Sequence, residues 1–289
     1  MLSESVDGFR LAYDRTGSGP AVVLLHGWPG DRTDYRDVVP LLAGAAELVV
    51  PDLRGFGESD KHVADPAERY GAAAQARAVA ALIEQLGLDR PVVAGYDVGS
   101  RVGRTLGATR PDLVRALVLS PPMPGVGRRM LDQGPQREFW YQAFHQLELA
   151  ERLVDGKPEA VRDYLEHFWT HWSGPSFQLG DERLDHLVSR YGAPGAFTAS
   201  IQWYRAGSGA VATALAETAP DPAQRIAVPT TVLWPDHDPL FPRAWSDRLD
   251  EYFADATLRP LDGVGHFLPV EAPAEVAGAV LERLPAGDQ

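Results

Sequence analysis

Three groups of residues in this 289-residue chain could do chemistry together. The first is Asp97, at the centre of Gly95-Tyr96-Asp97-Val98-Gly99. An apolar, mostly β-branched run over 91–94 leads into it, and a helix-compatible run over 100–109 follows. Small residues two before and two after the centre are what a nucleophile elbow between strand and helix needs, because so tight a turn leaves no room for side chains. The second is His266, in Gly263-Val264-Gly265-His266. The third is the pair Asp236 and Asp238, in Pro235-Asp236-His237-Asp238-Pro239. A carboxylate is already ionised near neutral pH and needs no base to activate it. Its attack on an acyl carbon would give an anhydride that reverts easily. Attack on an sp³ carbon bearing a leaving group gives a stable alkyl ester instead. That ester must be hydrolysed, so a base is needed for the second step, and His266 is the candidate. A carboxylate must orient the imidazole. Asp238, deeper in its loop, is preferred; Asp236 competes but reads more simply as a cap on the strand exit. The tetrahedral intermediate needs backbone donors. The N–H of Val98 and that of Trp28, in His26-Gly27-Trp28-Pro29, are the candidates. Pro29 restricts Trp28, and a cis bond between them fits the segment.

These groups must be carried by strand ends. Strands are expected over 9–13, 21–25, 48–52, 91–94, 114–120, 230–234 and 256–261, with helices over 35–43, 71–86, 100–109 and 274–284. Strands alternating with helices imply an α/β fold with a mostly parallel, doubly wound sheet, whose ligands bind beyond the carboxyl ends of the strands. The alternation stops over 121–227. Helices are expected there over 136–154, 160–172, 183–191, 196–205 and 209–217, rich in aromatic residues. The expected organisation is a core of residues 1–121 and 228–289, interrupted by a helical cap over 122–227.

The net charge of −13 argues against nucleic acid or an anionic membrane as partner. Without cysteine there is no disulfide, no thiolate chemistry and no cysteine-based zinc site. No metal ion or organic cofactor is called for. The first residues lack a basic start and a long apolar run, so no secretory signal is expected. No segment approaches the roughly 20 apolar residues of a membrane span. The expectation is a cytoplasmic enzyme, monomer or homodimer, acting on a small molecule.

The motifs together resemble the α/β-hydrolase-fold enzymes, and among them the epoxide hydrolases and their dehalogenase relatives. The resemblance spans nearly the whole chain. It rests on His26-Gly27-Trp28-Pro29, Asp52-Leu53-Arg54-Gly55-Phe56-Gly57-Glu58-Ser59, the Asp97 elbow, Asp238-Pro239 and Gly265-His266. It implies conversion of an epoxide to a vicinal diol through an alkyl ester of Asp97. In these enzymes cap tyrosines protonate the epoxide oxygen. Tyr204, in Gln202-Trp203-Tyr204-Arg205, matches one of them. For the other, Phe144 falls where the family has tyrosine, leaving Tyr141 or His145 as substitutes. Those two share a helix face at a spacing of four. His26, Trp140, Tyr141, Phe144, His145 and Trp203 are the expected substrate contacts, and the aromatic cap suggests an apolar epoxide.

Two departures bear on the relatives. Haloalkane dehalogenases commonly place a tryptophan after the nucleophile to hold the departing halide; here it is Val98. Fluoroacetate dehalogenases resemble this chain at Arg101, His145 and Tyr204. They also carry an arginine directly after the aspartate, and a tryptophan where Gln146 stands. The alternatives to epoxide hydrolysis are therefore dehalogenation on the same Asp97 and, from another class, ligand binding on a scaffold that has lost turnover.

Overall fold

Seven strands form one sheet in the order β1-β3-β2-β4-β5-β6-β7. The computed structural model describes residues 1–208 and 210–285. Residues 209, where an expected helix begins, and 286–289, where the expected core ends, lie outside them. The strands are β1 (Tyr13–Gly17), β2 (Ala21–Leu25), β3 (Glu47–Pro51), β4 (Val92–Gly95), β5 (Ala116–Leu119), β6 (Thr230–Pro235) and β7 (Ala256–Leu261). From β3 through β7 every pairing is parallel; only β1 is antiparallel, on β3.

β2, β4, β5 and β6 are buried along their full length. Their Val, Leu and Ala runs are what a sheet covered on both faces requires. Helices α1 (Val39–Leu42), α2 (Pro66–Arg69), α3 (Ala72–Gln85) and α4 (Val98–Thr109) connect the early strands. Between β5 and β6 the described residues hold no strand. They form α5 (Gln133–Glu138), α6 (Trp140–His145), α7 (Glu148–Val154), α8 (Pro158–His171), α9 (Asp181–Tyr191), α10 (Ala196–Trp203) and α11 (Ala210–Ala216). Helices α12 (Leu268–Glu271) and α13 (Pro273–Leu281) follow β7.

Two expectations are corrected. The first strand is not 9–13 but Tyr13–Gly17, because the polar residues after Tyr13 lie exposed on the sheet edge and pair with β3. Hydrophobicity alone does not mark so exposed a strand. Residues 9 and 12 make only isolated bridges. The helix expected over 136–154 is three short ones, broken at Phe139 and at extended Leu147. Just before the second break the Gln146 amide donates to the Tyr204 carbonyl at 2.8 Å. Tyr204 itself opens a π-helical turn, Tyr204–Ser208, that ends α10.

Candidate active site

Asp97 sits between β4 and α4 with φ 48° and ψ −117°. Such a backbone is strained for a residue with a side chain, and it lifts the carboxylate clear of the sheet. The flanking glycines allow it. A Cβ on Gly99 would lie 2.0 Å from the Leu25 carbonyl oxygen, and one on Gly95 would lie 2.6 Å from the Gly99 backbone. The Ser100 hydroxyl braces the turn, donating to the Gly95 carbonyl at 2.6 Å and accepting from the Ser120 N–H at 3.0 Å.

The Trp28–Pro29 peptide is cis. The Trp28 N–H donates to Asp97 Oδ1 at 2.8 Å. Val98 is the first residue of α4, so its N–H has no acceptor within that helix. Of the two expected backbone donors, the Trp28 N–H meets the Asp97 carboxylate and the Val98 N–H opens the helix that follows it. His26 is corrected as a substrate contact. Its Nδ1 meets the Gly27 carbonyl and its Nε2 accepts from the Leu53 N–H, both at 2.9 Å. With both ring nitrogens engaged, His26 ties the exit of β2 to the exit of β3.

His266 Nδ1 lies 2.9 Å from Asp238 Oδ2. Asp236 instead accepts from the Gly263 N–H, away from the imidazole. The other ring nitrogen, Nε2, is buried without a hydrogen-bond partner, 3.5 Å from Asp97 Oδ2. At that length and aim the contact is one of charge, not a hydrogen bond. Burial alone would lower the pKa of the imidazole. Asp238 and then Asp97 outweigh burial and raise it to about 10.

Above Asp97 lies a narrow pocket with a free volume of only about 10 Å³, lined by Asp97, Val98, Arg101, Tyr141, Trp203 and Tyr204 with four further residues. Tyr141, not Phe144, is thus the second tyrosine facing the aspartate. Its ring stacks on the Trp28 indole at 5.6 Å, and the Tyr204 ring meets the same indole edge-on. Burial first, with the nearby Asp97 charge adding to it, raises both phenol pKa values well above the ordinary range, so both stay protonated. Phe144 is corrected as a substrate contact because it turns away from the cavity, against Trp140 and Tyr164. Trp140 likewise lies 43% exposed, outside the cavity. His145 sits behind Trp28 and Tyr204, its Nε2 2.9 Å from the Tyr164 hydroxyl. Burial drives its pKa well below the usual value, and it does not line the cavity.

The wall holds residues that sequence reasoning had not assigned to a site, namely Pro122, Phe139, Gln142 and Phe241. Phe241 follows Asp238 by three residues, so its place in the loop that carries Asp238 was a usable signal. Arg101 is buried one helical turn after Asp97, donating to the Thr213 hydroxyl at 2.8 Å and lying over the Trp203 ring. Burial lowers its pKa to about 10. Among the described residues no group of three or more His, Asp or Glu side chains is arranged to hold a metal ion, and no helix is long and apolar enough to cross a membrane.

Residues 20–273 match the family model described as alpha/beta hydrolase fold. A soluble epoxide hydrolase from Corynebacterium sp. (strain C12) is 28% identical over 286 residues, covering 96% of this chain and 94% of that protein. A fluoroacetate dehalogenase from Burkholderia sp. is 31% identical over 195 residues, 66% of this chain and 64% of its own. Among solved structures, the epoxide hydrolase CorEH without ligand superposes with a TM-score of 0.83 at 26% identity. That match covers 98% of this chain and 96% of the other.

Proposed function

The chain belongs to the α/β-hydrolase-fold family, and from that premise we propose that it is an epoxide hydrolase working through a covalent ester of Asp97. One observation carries the reading. The Asp97 carboxylate, held at Oδ1 by the Trp28 N–H, lines one narrow pocket with two protonated tyrosines. An epoxide placed between them meets a nucleophile on one side and proton donors on the other.

In the first step Asp97 Oδ2 bonds to a ring carbon, and the breaking C–O bond leaves its electron pair on the epoxide oxygen. That oxygen takes a proton from Tyr204 or Tyr141, leaving a hydroxyalkyl ester and a tyrosinate. No base is needed, which suits an imidazole already protonated between two carboxylates. Ester formation removes the charge of Asp97. The imidazolium then holds its proton less tightly, gives it up to restore the tyrosinate, and becomes a base while Asp238 keeps it oriented. Water adds to the ester carbonyl as His266 takes its proton, and the oxyanion forms at Oδ1 beside the Trp28 and Val98 amides. Collapse expels the alkoxide, which takes the remaining proton of the added water to give the diol; the Asp97 carboxylate is restored, and the proton taken from water leaves His266 an imidazolium, as it began.

The remaining expectations join this reading. They are a core over residues 1–121 and 228–289 and a cap over 122–227, of which the described residues supply Tyr141, Trp203 and Tyr204 to the pocket. Val98, Pro122, Phe139, Trp203 and Phe241 favour a small apolar epoxide. Displacement of halide on the same Asp97 is the second reading, supported by the likeness to the fluoroacetate dehalogenase. Against it, Val98 offers no side-chain donor, and the Trp28 indole N–H is engaged by the Ser200 hydroxyl at 3.3 Å. Binding without turnover would not require Asp97, His266 and Asp238 in register.

The test is mass spectrometry of His266→Gln incubated with an epoxide panel. An adduct of epoxide mass on the peptide bearing Asp97, with wild-type diol formation, is expected. Halide release from haloalkanes with neither adduct nor diol would move the assignment to dehalogenation.

A further inference from the structure

The loop that carries His266 is fastened on one side to the exit of β6, through Gly263 and Val264, and on the other to the helices above it, where one carboxylate supplies three hydrogen bonds. Glu271 ends the single-turn helix α12 and folds back over the loop. Its Oε2 accepts from the Gly174 N–H at 2.7 Å and the Gly265 N–H at 2.9 Å. Its Oε1 accepts from the Phe267 N–H at 2.9 Å. The residues immediately before and after His266 are therefore held by one side chain, together with a residue from the connection after α8.

Other contacts follow the same line. The His266 N–H donates to the Trp172 carbonyl at 2.8 Å. A Cβ on Gly265 would lie 2.4 Å from both the Gly174 nitrogen and the Trp172 carbonyl oxygen, so the two segments pack backbone against backbone. Phe267 stacks on Trp169 at 3.7 Å and 5°, and Trp172 meets the His266 ring at 5.1 Å. A partly buried carboxylate is costly to keep unless its oxygens are satisfied. Here three backbone donors satisfy it, and all three lie on the two segments that frame the imidazole.

We propose that Glu271 is a positioning residue for the hydrolytic step, locking the His266 loop to the α8–α9 connection so that Nε2 faces the Asp97 ester carbonyl. The proposal rests on the covalent reading above. It assigns Glu271 no contact with substrate and no part in ring opening, which Asp97 and the tyrosines perform without the base. An imidazole displaced by even about 1 Å slows a base-assisted step about a hundredfold.

The two half-reactions separate this role from general support of the fold. In rapid-quench experiments Glu271→Ala and Glu271→Gln should alkylate Asp97 within about twofold of wild type. They should hydrolyse the ester about 10- to 100-fold more slowly, so that the adduct accumulates. The amide keeps the size of the side chain but replaces one acceptor oxygen with a donor, which guards against loss of folding in the alanine variant. Equal decline of both half-reactions, or wild-type hydrolysis in Glu271→Gln, would overturn the proposal. His266→Gln is the control: if it too forms no adduct, the covalent reading fails and not merely the role of Glu271.

Discussion

The Trp28 amide and the Asp97 carboxylate, 69 residues apart in sequence, meet in a 2.8 Å hydrogen bond at Oδ1. That bond divides the carboxylate into two unlike oxygens. Oδ1 is held by a backbone donor, and Oδ2 is left facing His266 Nε2 at 3.5 Å. A Cβ on Gly27 would lie 2.6 Å from the Asp97 Cβ, so this close approach requires the glycine before Trp28. The cis Trp28–Pro29 bond occurs in the same turn.

The tyrosines should act on ring opening and not on ester hydrolysis. Tyr204→Phe and Tyr141→Phe are each expected to slow alkylation of Asp97 by about 10²-fold, as loss of a proton donor does. The double variant should be slower still, with hydrolysis of a preformed ester within about threefold of wild type. Single-turnover kinetics read both steps. An unchanged alkylation rate in the double variant would remove the phenols from the mechanism.

The two candidate carboxylates should separate cleanly. Asp238→Asn removes the partner of His266 Nδ1 and should slow ester hydrolysis by 10²-fold or more, an order estimated from other oriented-imidazole sites. Asp236→Asn disturbs a loop contact with Gly263 and a charge contact with His237, and should leave kcat within about twofold. Steady-state assays of the purified variants decide between them.

His266 also links stability to pH. Its folded-state pKa, about 10, is raised above the ordinary imidazole value near 6.5 by Asp238 and Asp97, despite burial. A raised pKa contributes stability that is fully present below about pH 6.5 and is lost as pH rises through about 10. Denaturant midpoints should therefore fall between those limits in wild type. They should fall less steeply in His266→Gln. Parallel profiles would contradict the raised pKa.

Gly99→Ala should damage the elbow directly. The added methyl would stand 2.0 Å from the Leu25 carbonyl oxygen, where only backbone movement can relieve it. A loss of about 3 kcal/mol, the upper part of the usual range for overpacking, is expected in equilibrium unfolding. Activity should fall with it as Asp97 shifts.

Much of the site could be read from the sequence because its parts sit at strand ends. Asp97, Trp28 and Asp238 follow apolar strands and His266 follows the edge strand β7, and a parallel sheet brings such ends to one edge. What could not be read depended on packing between helices. Tyr141 and His145 share one face at a spacing of four, yet Tyr141 reaches the cavity while Trp28 and Tyr204 screen His145 from it. The breaks at Phe139 and Leu147 that set this orientation leave no mark in the hydrophobic period. Glu271 was silent for a similar reason. It looks like an ordinary helix-end acid until the loop folds back onto it.

The most direct test of the account follows oxygen from isotopically heavy water. A single turnover of excess enzyme with an epoxide in H₂¹⁸O should yield a diol without heavy oxygen, its new oxygen coming from the Asp97 carboxylate. The label should appear in the peptide that bears Asp97. A diol carrying the label after that first turnover, with an unlabelled Asp97, would mean that water attacks the epoxide directly and would contradict the covalent role of the aspartate.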